Sequence, residues 1–126
     1  MKIWYDAEED WDGAVLQSSI NGGATWQNVG AFGDPDNWFN NDAISSMPGG
    51  QDEGWSGEGA AGSGGWVTAK HNLTGLGGQA SVLLRVAFTA DGLYNFDGFA
   101  FDDVSIFESP ANDVGIAAIT SPIATP

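Results

Sequence analysis

The chain has 126 residues, enough for one domain, and carries 17 Asp and Glu against 3 Lys and Arg, a formal net charge of -14. So few basic residues cannot neutralise a phosphate backbone or hold the chain on an anionic lipid surface, which excludes nucleic-acid binding and electrostatic membrane docking. The absence of Cys and the presence of only one His exclude disulfides, thiol catalysis, thiolate zinc sites and multi-His metal sites.

Strand patterns recur along the chain between short turns, and no window has the sustained apolar spacing of three and four residues that marks a helix. The predicted strands are residues 2–6, 13–20, 25–29, 66–73, 81–90 and 99–107. In the fifth of them, Val82, Leu84, Val86 and Phe88 alternate with the opposite face, as in a half-buried strand. We therefore expect an all-β fold, an antiparallel β-sandwich or jelly roll.

One long irregular region, residues 33–65, interrupts this series of strands. It ends in a tract where glycine is frequent, and it has room for a short strand around residues 38–39. A loop of this length inside a compact domain is usually functional or mobile. It contains Trp38 and Trp55, and large aromatic side chains in a loop favour a stacking platform for sugar rings. Trp4, Trp26 and Trp66 lie in predicted strands, so we expect them in the core.

Residues 19–26, SINGGATW, form the most specific local motif. The motif resembles the Asp-box hairpin, Ser-x-Asp-x-Gly-x-Thr-Trp, with Asn21 in the place of Asp. A short Asn side chain can bond the backbone amides of its own turn, and Gly23 can adopt a conformation that other residues avoid. We expect Ser19, Asn21, Gly23 and Trp26 to form a structural turn and not a binding site.

Carboxylates are the candidates for chemistry, because they can bind a hard cation such as Ca²⁺ or, in facing pairs, hydrolyse a glycoside. They form two groups: Glu8, Glu9, Asp10 and Asp12 after the first strand, and Asp91, Asp97, Asp102 and Asp103 near the last. Asp102 and Asp103 interrupt the apolar run FAFDDVSIF, where a charge is costly unless it is paired, hydrogen-bonded or metal-bound. In a regular strand they face opposite sides, so a metal there needs ligands from elsewhere, and Glu9 and Asp12 are the candidates.

In their order along the chain, these pieces resemble a MAM-type jelly-roll domain of the concanavalin-like lectin/glucanase superfamily. The similar versions occur in secreted bacterial multidomain proteins, beside immune-inhibitor-A-like peptidases. The matching stretches are WDGAV at 11–15, the turn at 19–26, NWFN at 37–40, GWSG at 54–57, LLRVAFTADG at 83–92 and DGFAFDDVSI at 97–106. The last stretch is the strongest match, since the closing strand of the family typically reads apolar-x-apolar-Asp-Asp-apolar.

The resemblance implies a non-catalytic module for adhesion or recognition in an exported protein, contacting an extracellular protein or a glycan. It also implies a structural cation, expected to be Ca²⁺, at Asp102 or Asp103, with Glu9 and Asp12 as further ligands. Two alternatives stay open: a carbohydrate-binding module that uses Trp38 and Trp55, and a small glycosidase with two carboxylates across a cleft.

The resemblance also implies the domain boundaries. It covers residues 2–108, and the family usually has one or two strands before the equivalent of Lys2. We therefore expect residues 1–108 to form the jelly-roll domain without its first strand or strands. Residues 109–112 read as a linker, and 113–119 resemble the first strand of a following immunoglobulin-like module.

Overall fold

The computed structural model describes residues 1–108, and within them the chain forms two antiparallel three-stranded sheets. The strands are β1 (Lys2–Asp6), β2 (Gly13–Ser19), β3 (Gln27–Asn28), β4 (Val67–Thr68), β5 (Leu83–Thr89) and β6 (Gly98–Asp102), with a short 3-10 turn at Pro48–Gly50. The strand orders are β4-β1-β6 and β3-β2-β5. This architecture confirms the predicted all-β class. The predicted linker at 109–112 and strand at 113–119 lie outside the described residues.

The central strands β1 and β2 carry most of the buried strand residues. In β1 the two-residue period places Ile3 and Tyr5 inside and leaves the other side chains half-buried. In β2 every residue except Leu16 is buried, because both faces of this strand are covered. One cover is the turn at 48–50, where the side-chain amide of Gln17 donates to the carbonyl of Gly49 over 3.2 Å.

Several predicted strands are shorter than expected. The third and fourth shrink from 25–29 and 66–73 to two residues each. The last ends at Asp102, because Asp103 has a left-handed backbone with φ of 50° and its N–H donates to Oδ1 of Asp102 over 2.7 Å. The prediction that both Asp side chains lie within one regular strand is therefore wrong.

The irregular region 33–65 forms part of the core. Its backbone runs beside both sheets, since Trp55 pairs with Ala14 and Gly57 pairs with Ala7. The Trp55 ring lies 5.1 Å from the ring of Trp38 and stacks on Phe99 of β6 at 5.5 Å. The expected short strand at 38–39 does not form, and the region contributes buried side chains in its place.

The strand register brings two loops to one end of the molecule. Asp6 pairs with Gly98 across β1 and β6, and Gly13 pairs with Thr89 across β2 and β5. Residues 7–12 follow β1 and residues 90–97 follow β5. These two loops therefore lie next to each other at the same end of the two sheets. Within residues 1–108 there is no helix of the length and apolarity needed to cross a membrane.

Candidate cation site

Three carboxylates meet where these two loops lie side by side. Glu8 and Asp12 come from the loop after β1, Asp91 comes from the loop after β5, and their ligand oxygens lie within 4.8 Å of one another. The carbonyl of Glu8 accepts the N–H of Asp12 over 2.9 Å, which closes the first loop into a tight turn. The N–H of Asp91 then donates to Oδ1 of Asp12 over 2.7 Å and ties the second loop to the first.

The carboxylate of Glu8 is the least satisfied group of the three. Its Oε2 atom is shielded from solvent and has no hydrogen-bond partner among the described residues. Burial, followed by the nearby charges of Asp91, Asp12 and Glu58, raises the pKa of Glu8 above its usual range. A shielded oxygen that accepts nothing is costly, and a bound cation would satisfy it.

The spacing of these oxygens suits a hard divalent cation. Ca²⁺ binds carboxylate oxygens at about 2.3–2.6 Å, so two ligands on opposite sides of one ion stand about 5 Å apart. The observed limit of 4.8 Å lies within that span. The triad of Glu8, Asp12 and Asp91 could therefore hold a metal ion without a large movement of either loop.

Of the four predicted metal ligands, this cluster includes Asp12 and leaves out Glu9, Asp102 and Asp103. Glu9 is exposed, and its backbone N–H donates to the carboxylate of Glu58. Asp102 pairs with Lys2 at the far end of β1, and Asp102 and Asp103 are both exposed. The register of β1 and β6 thus separates the Asp-Asp pair from the triad by the length of a strand.

Sequence reasoning identified both acidic segments but did not select Glu8 or Asp91. The available signal was the position of each segment at the end of a strand, Lys2–Asp6 for one and Leu83–Thr89 for the other. This position alone does not select Glu8 and Asp91. They can be selected only when it is known that Gly13 pairs with Thr89, because that pairing brings the two loops together.

The prediction that Trp38 and Trp55 form a sugar platform is wrong, because the two side chains are only 5% and 1% exposed. Their indole N–H groups donate inward, to the carbonyls of Val29 and Asn37. The expectation that Trp66 belongs to the core is also wrong, since it is 55% exposed next to a strand of only two residues.

The turn at 19–26 is held by its own side chains. Ser19 Oγ donates to Asn21 Oδ1 over 2.8 Å and accepts the N–H of Gly23 over 2.9 Å. Asn21 Oδ1 also accepts the N–H of Thr25 over 3.0 Å, and Gly23 has a φ of 89°. Trp26 lies against Arg85, whose guanidinium carbon is 4.2 Å from the ring centroid. These contacts are internal to the hairpin and its sheet.

No protein-family model, curated protein or solved structure matches the chain.

Proposed function

We propose that the chain is a non-catalytic recognition or adhesion module of an exported protein, a MAM-like jelly roll stabilised by one Ca²⁺ ion. Glu8, Asp12 and Asp91 bind the ion. The recognition role rests on the resemblance of residues 2–108 to MAM domains. The observation that carries the calcium site is the shielded Oε2 atom of Glu8, which has no partner among residues 1–108 and lies in a group of three carboxylates. Calcium neutralises the repulsion within that group and joins the two loops that it links.

The contacts of the triad favour a structural role for the ion. Asp12 is only 3% exposed, and it accepts the N–H of Asp91. Asp91 in turn accepts the N–H of Leu93 over 2.8 Å. Because these carboxylates already accept backbone N–H groups of the loop after β5, an ion bound to them would hold the two loops in place. Extracellular calcium modules bind the ion with dissociation constants of about 10⁻⁴–10⁻³ M, and we expect an affinity in that range here.

Calorimetric titration of Ca²⁺ into the full chain tests the proposal. We expect one bound ion for the wild-type protein and loss of binding in Glu8→Gln and Asp91→Asn. Asp102→Asn is the matched control, since it removes an exposed carboxylate outside the triad and keeps the affinity. At a calcium concentration roughly one hundred times the Kd, the fold gains about 2.7 kcal/mol. That gain raises Tm by on the order of 10 °C.

Two results would contradict the proposal. One is no heat of binding together with no change in Tm between calcium and EDTA. The other is equal loss of affinity in Glu8→Gln and Asp102→Asn, which would indicate diffuse attraction of calcium to the acidic surface.

A further inference from the structure

A small cleft lies beside the triad at the same end of the molecule. It has a volume of about 50 Å³ and opens between the loop after β1 and the loop after β5. Its lining includes the acidic residues Asp6 and Asp12 and the aromatic residues Phe88, Tyr94 and Phe96. A cleft of this size takes the end of one side chain and nothing larger.

The rings that line the cleft are open to solvent. Phe88, Tyr94 and Phe96 are 43%, 64% and 40% exposed, and Leu93 at the tip of the same loop is 79% exposed. Aromatic faces attract cations through their quadrupole, and an adjacent carboxylate adds a charged acceptor. Rings combined with carboxylates in one cleft therefore favour an ammonium or guanidinium group.

Charge at this end of the molecule points to the same ligand. Asp6, at the end of β1, and Asp12 line the cleft. The two loops beside it add Glu8, Glu9, Asp10, Asp91 and Asp97, and Glu58 accepts the N–H of Glu9. The three basic residues lie elsewhere. Lys2 is at the opposite end of β1, and Lys70 follows β4, which pairs with that same end. Arg85 is bound to Gln17 on the neighbouring strand β2. One Ca²⁺ ion at the triad leaves this end strongly negative.

We propose that this cleft binds a Lys or Arg side chain presented by a basic segment of a partner protein. The exposed Leu93 and Tyr94 extend the contact beyond the cleft and favour a partner segment with an apolar residue beside its basic one. The inference deepens the proposed function, because it names the chemistry of the partner that a recognition module of this kind contacts.

An NMR titration of the full chain in calcium tests the inference with N-acetyl-arginine amide as the probe. N-acetyl-citrulline amide is the control ligand, because it has nearly the same shape and no charge. We expect saturable shifts of the backbone amides of Ala7, Asp12, Asn95 and Gly98 with the arginine probe and none with citrulline. Replacing a ring by Leu in Tyr94→Leu or Phe96→Leu weakens binding about threefold. Phe32→Leu, which alters an exposed ring outside the cleft, leaves it unchanged.

The inference is overturned by equal shifts with both probes, by arginine shifts spread evenly over the carboxylates of the chain, or by no shifts at the highest soluble concentration. The same spectra follow a calcium titration through the amides of Glu8 and Asp91. Arginine binding without calcium binding contradicts the proposed calcium site alone, and calcium binding without arginine binding contradicts this inference alone.

Discussion

The backbone N–H of Asp91 donates to Oδ1 of Asp12 over 2.7 Å, and this bond connects the loop after β5 to the loop after β1. Asp12 is 3% exposed, so its acceptor atom works away from bulk water. We expect Asp12→Ala to cost about 1–3 kcal/mol in EDTA, because it leaves the N–H of Asp91 without an acceptor.

Asp12→Asn distinguishes the effect of this hydrogen bond from the effect of the negative charge on Asp12. The amide oxygen still accepts the N–H of Asp91, so stability in EDTA stays close to wild type while calcium affinity falls. Urea denaturation with and without calcium distinguishes the two variants. Equal loss of stability in Asp12→Asn and Asp12→Ala would contradict this account of the bond.

The raised pKa of Glu8 predicts a pH dependence in EDTA. Burial is its main cause, with the charges of Asp91, Asp12 and Glu58 adding to it. Because the folded-state pKa lies above the usual value of 4.5, the folded chain takes up this proton more readily than the unfolded chain. The stability that the protonated Glu8 side chain contributes is fully present below pH 4.5 and is lost as pH rises through the raised pKa.

The difference in urea midpoint between wild type and Glu8→Gln isolates this contribution, since the neutral amide does not titrate. We expect Glu8→Gln to be the more stable of the two at pH 7 in EDTA, and the advantage to shrink towards pH 4. A difference that does not change with pH would show that the carboxylate of Glu8 is not destabilised in the fold.

The side chains of His71 and Asp34 make a contact that joins the irregular region to the segment after β4. Nε2 of His71 lies 2.9 Å from Oδ2 of Asp34, and Nδ1 lies 2.7 Å from the carbonyl oxygen of Asn72. Both ring nitrogens of His71 therefore lie within hydrogen-bond distance of an oxygen atom. The N–H of Ala31, followed by His71, lowers the pKa of Asp34 below its usual 3.8.

This lowered pKa gives a dependence of the opposite sign. The stability from Asp34 is present above pH 3.8 and is lost as pH falls through the depressed pKa. We expect Asp34→Asn to lower Tm at pH 6 and to have a progressively smaller effect as pH falls below 3.8, with the exposed Asp36→Asn as the matched control. A loss of Tm that does not change as pH falls below 3.8 would rule out the ionic contribution.

Trp55 and Trp66 form a matched pair of aromatic side chains with opposite burial. Trp55 is 1% exposed between Trp38 and Phe99, and Trp66 is 55% exposed. We expect Trp55→Ala to cost about 3–5 kcal/mol of unfolding free energy. Trp66→Ala should stay within about 0.5 kcal/mol. Chemical denaturation measures both, and comparable losses in the two variants would contradict the assignment of the core.

The sequence was informative where structure is local. The predicted bounds of β1, β2 and β5 agree with the structure to within two residues at each end. For β5 the signal was a two-residue alternation, which the pleat of the strand itself sets. Strands β3 and β4 were overestimated because their length depends on partners elsewhere: Gln17 and Ser18 pair with β3, and Lys2 and Ile3 pair with β4. Nothing in their own residues sets where those pairings stop.

Two features depend on tertiary structure: the burial of Trp38 and Trp55, and the choice of residues that form the carboxylate triad. Trp55 is buried because its segment pairs with Ala14, a contact that no local pattern encodes. Asp91 meets Asp12 because β5 pairs with β2 in a particular register. The apolar surroundings of Asp102 and Asp103 suggested that one of them binds a metal, whereas their place at the exposed end of β6 explains how the charges are tolerated.

The most direct test of the calcium site is the position of the ion itself. Crystals of the full chain grown in calcium and measured at long wavelength would give anomalous difference density at bound Ca²⁺. We predict one peak about 2.3–2.6 Å from carboxylate oxygens of Glu8, Asp12 and Asp91. A peak at Asp102 and Asp103, or no peak between the two loops at saturating calcium, would contradict the account.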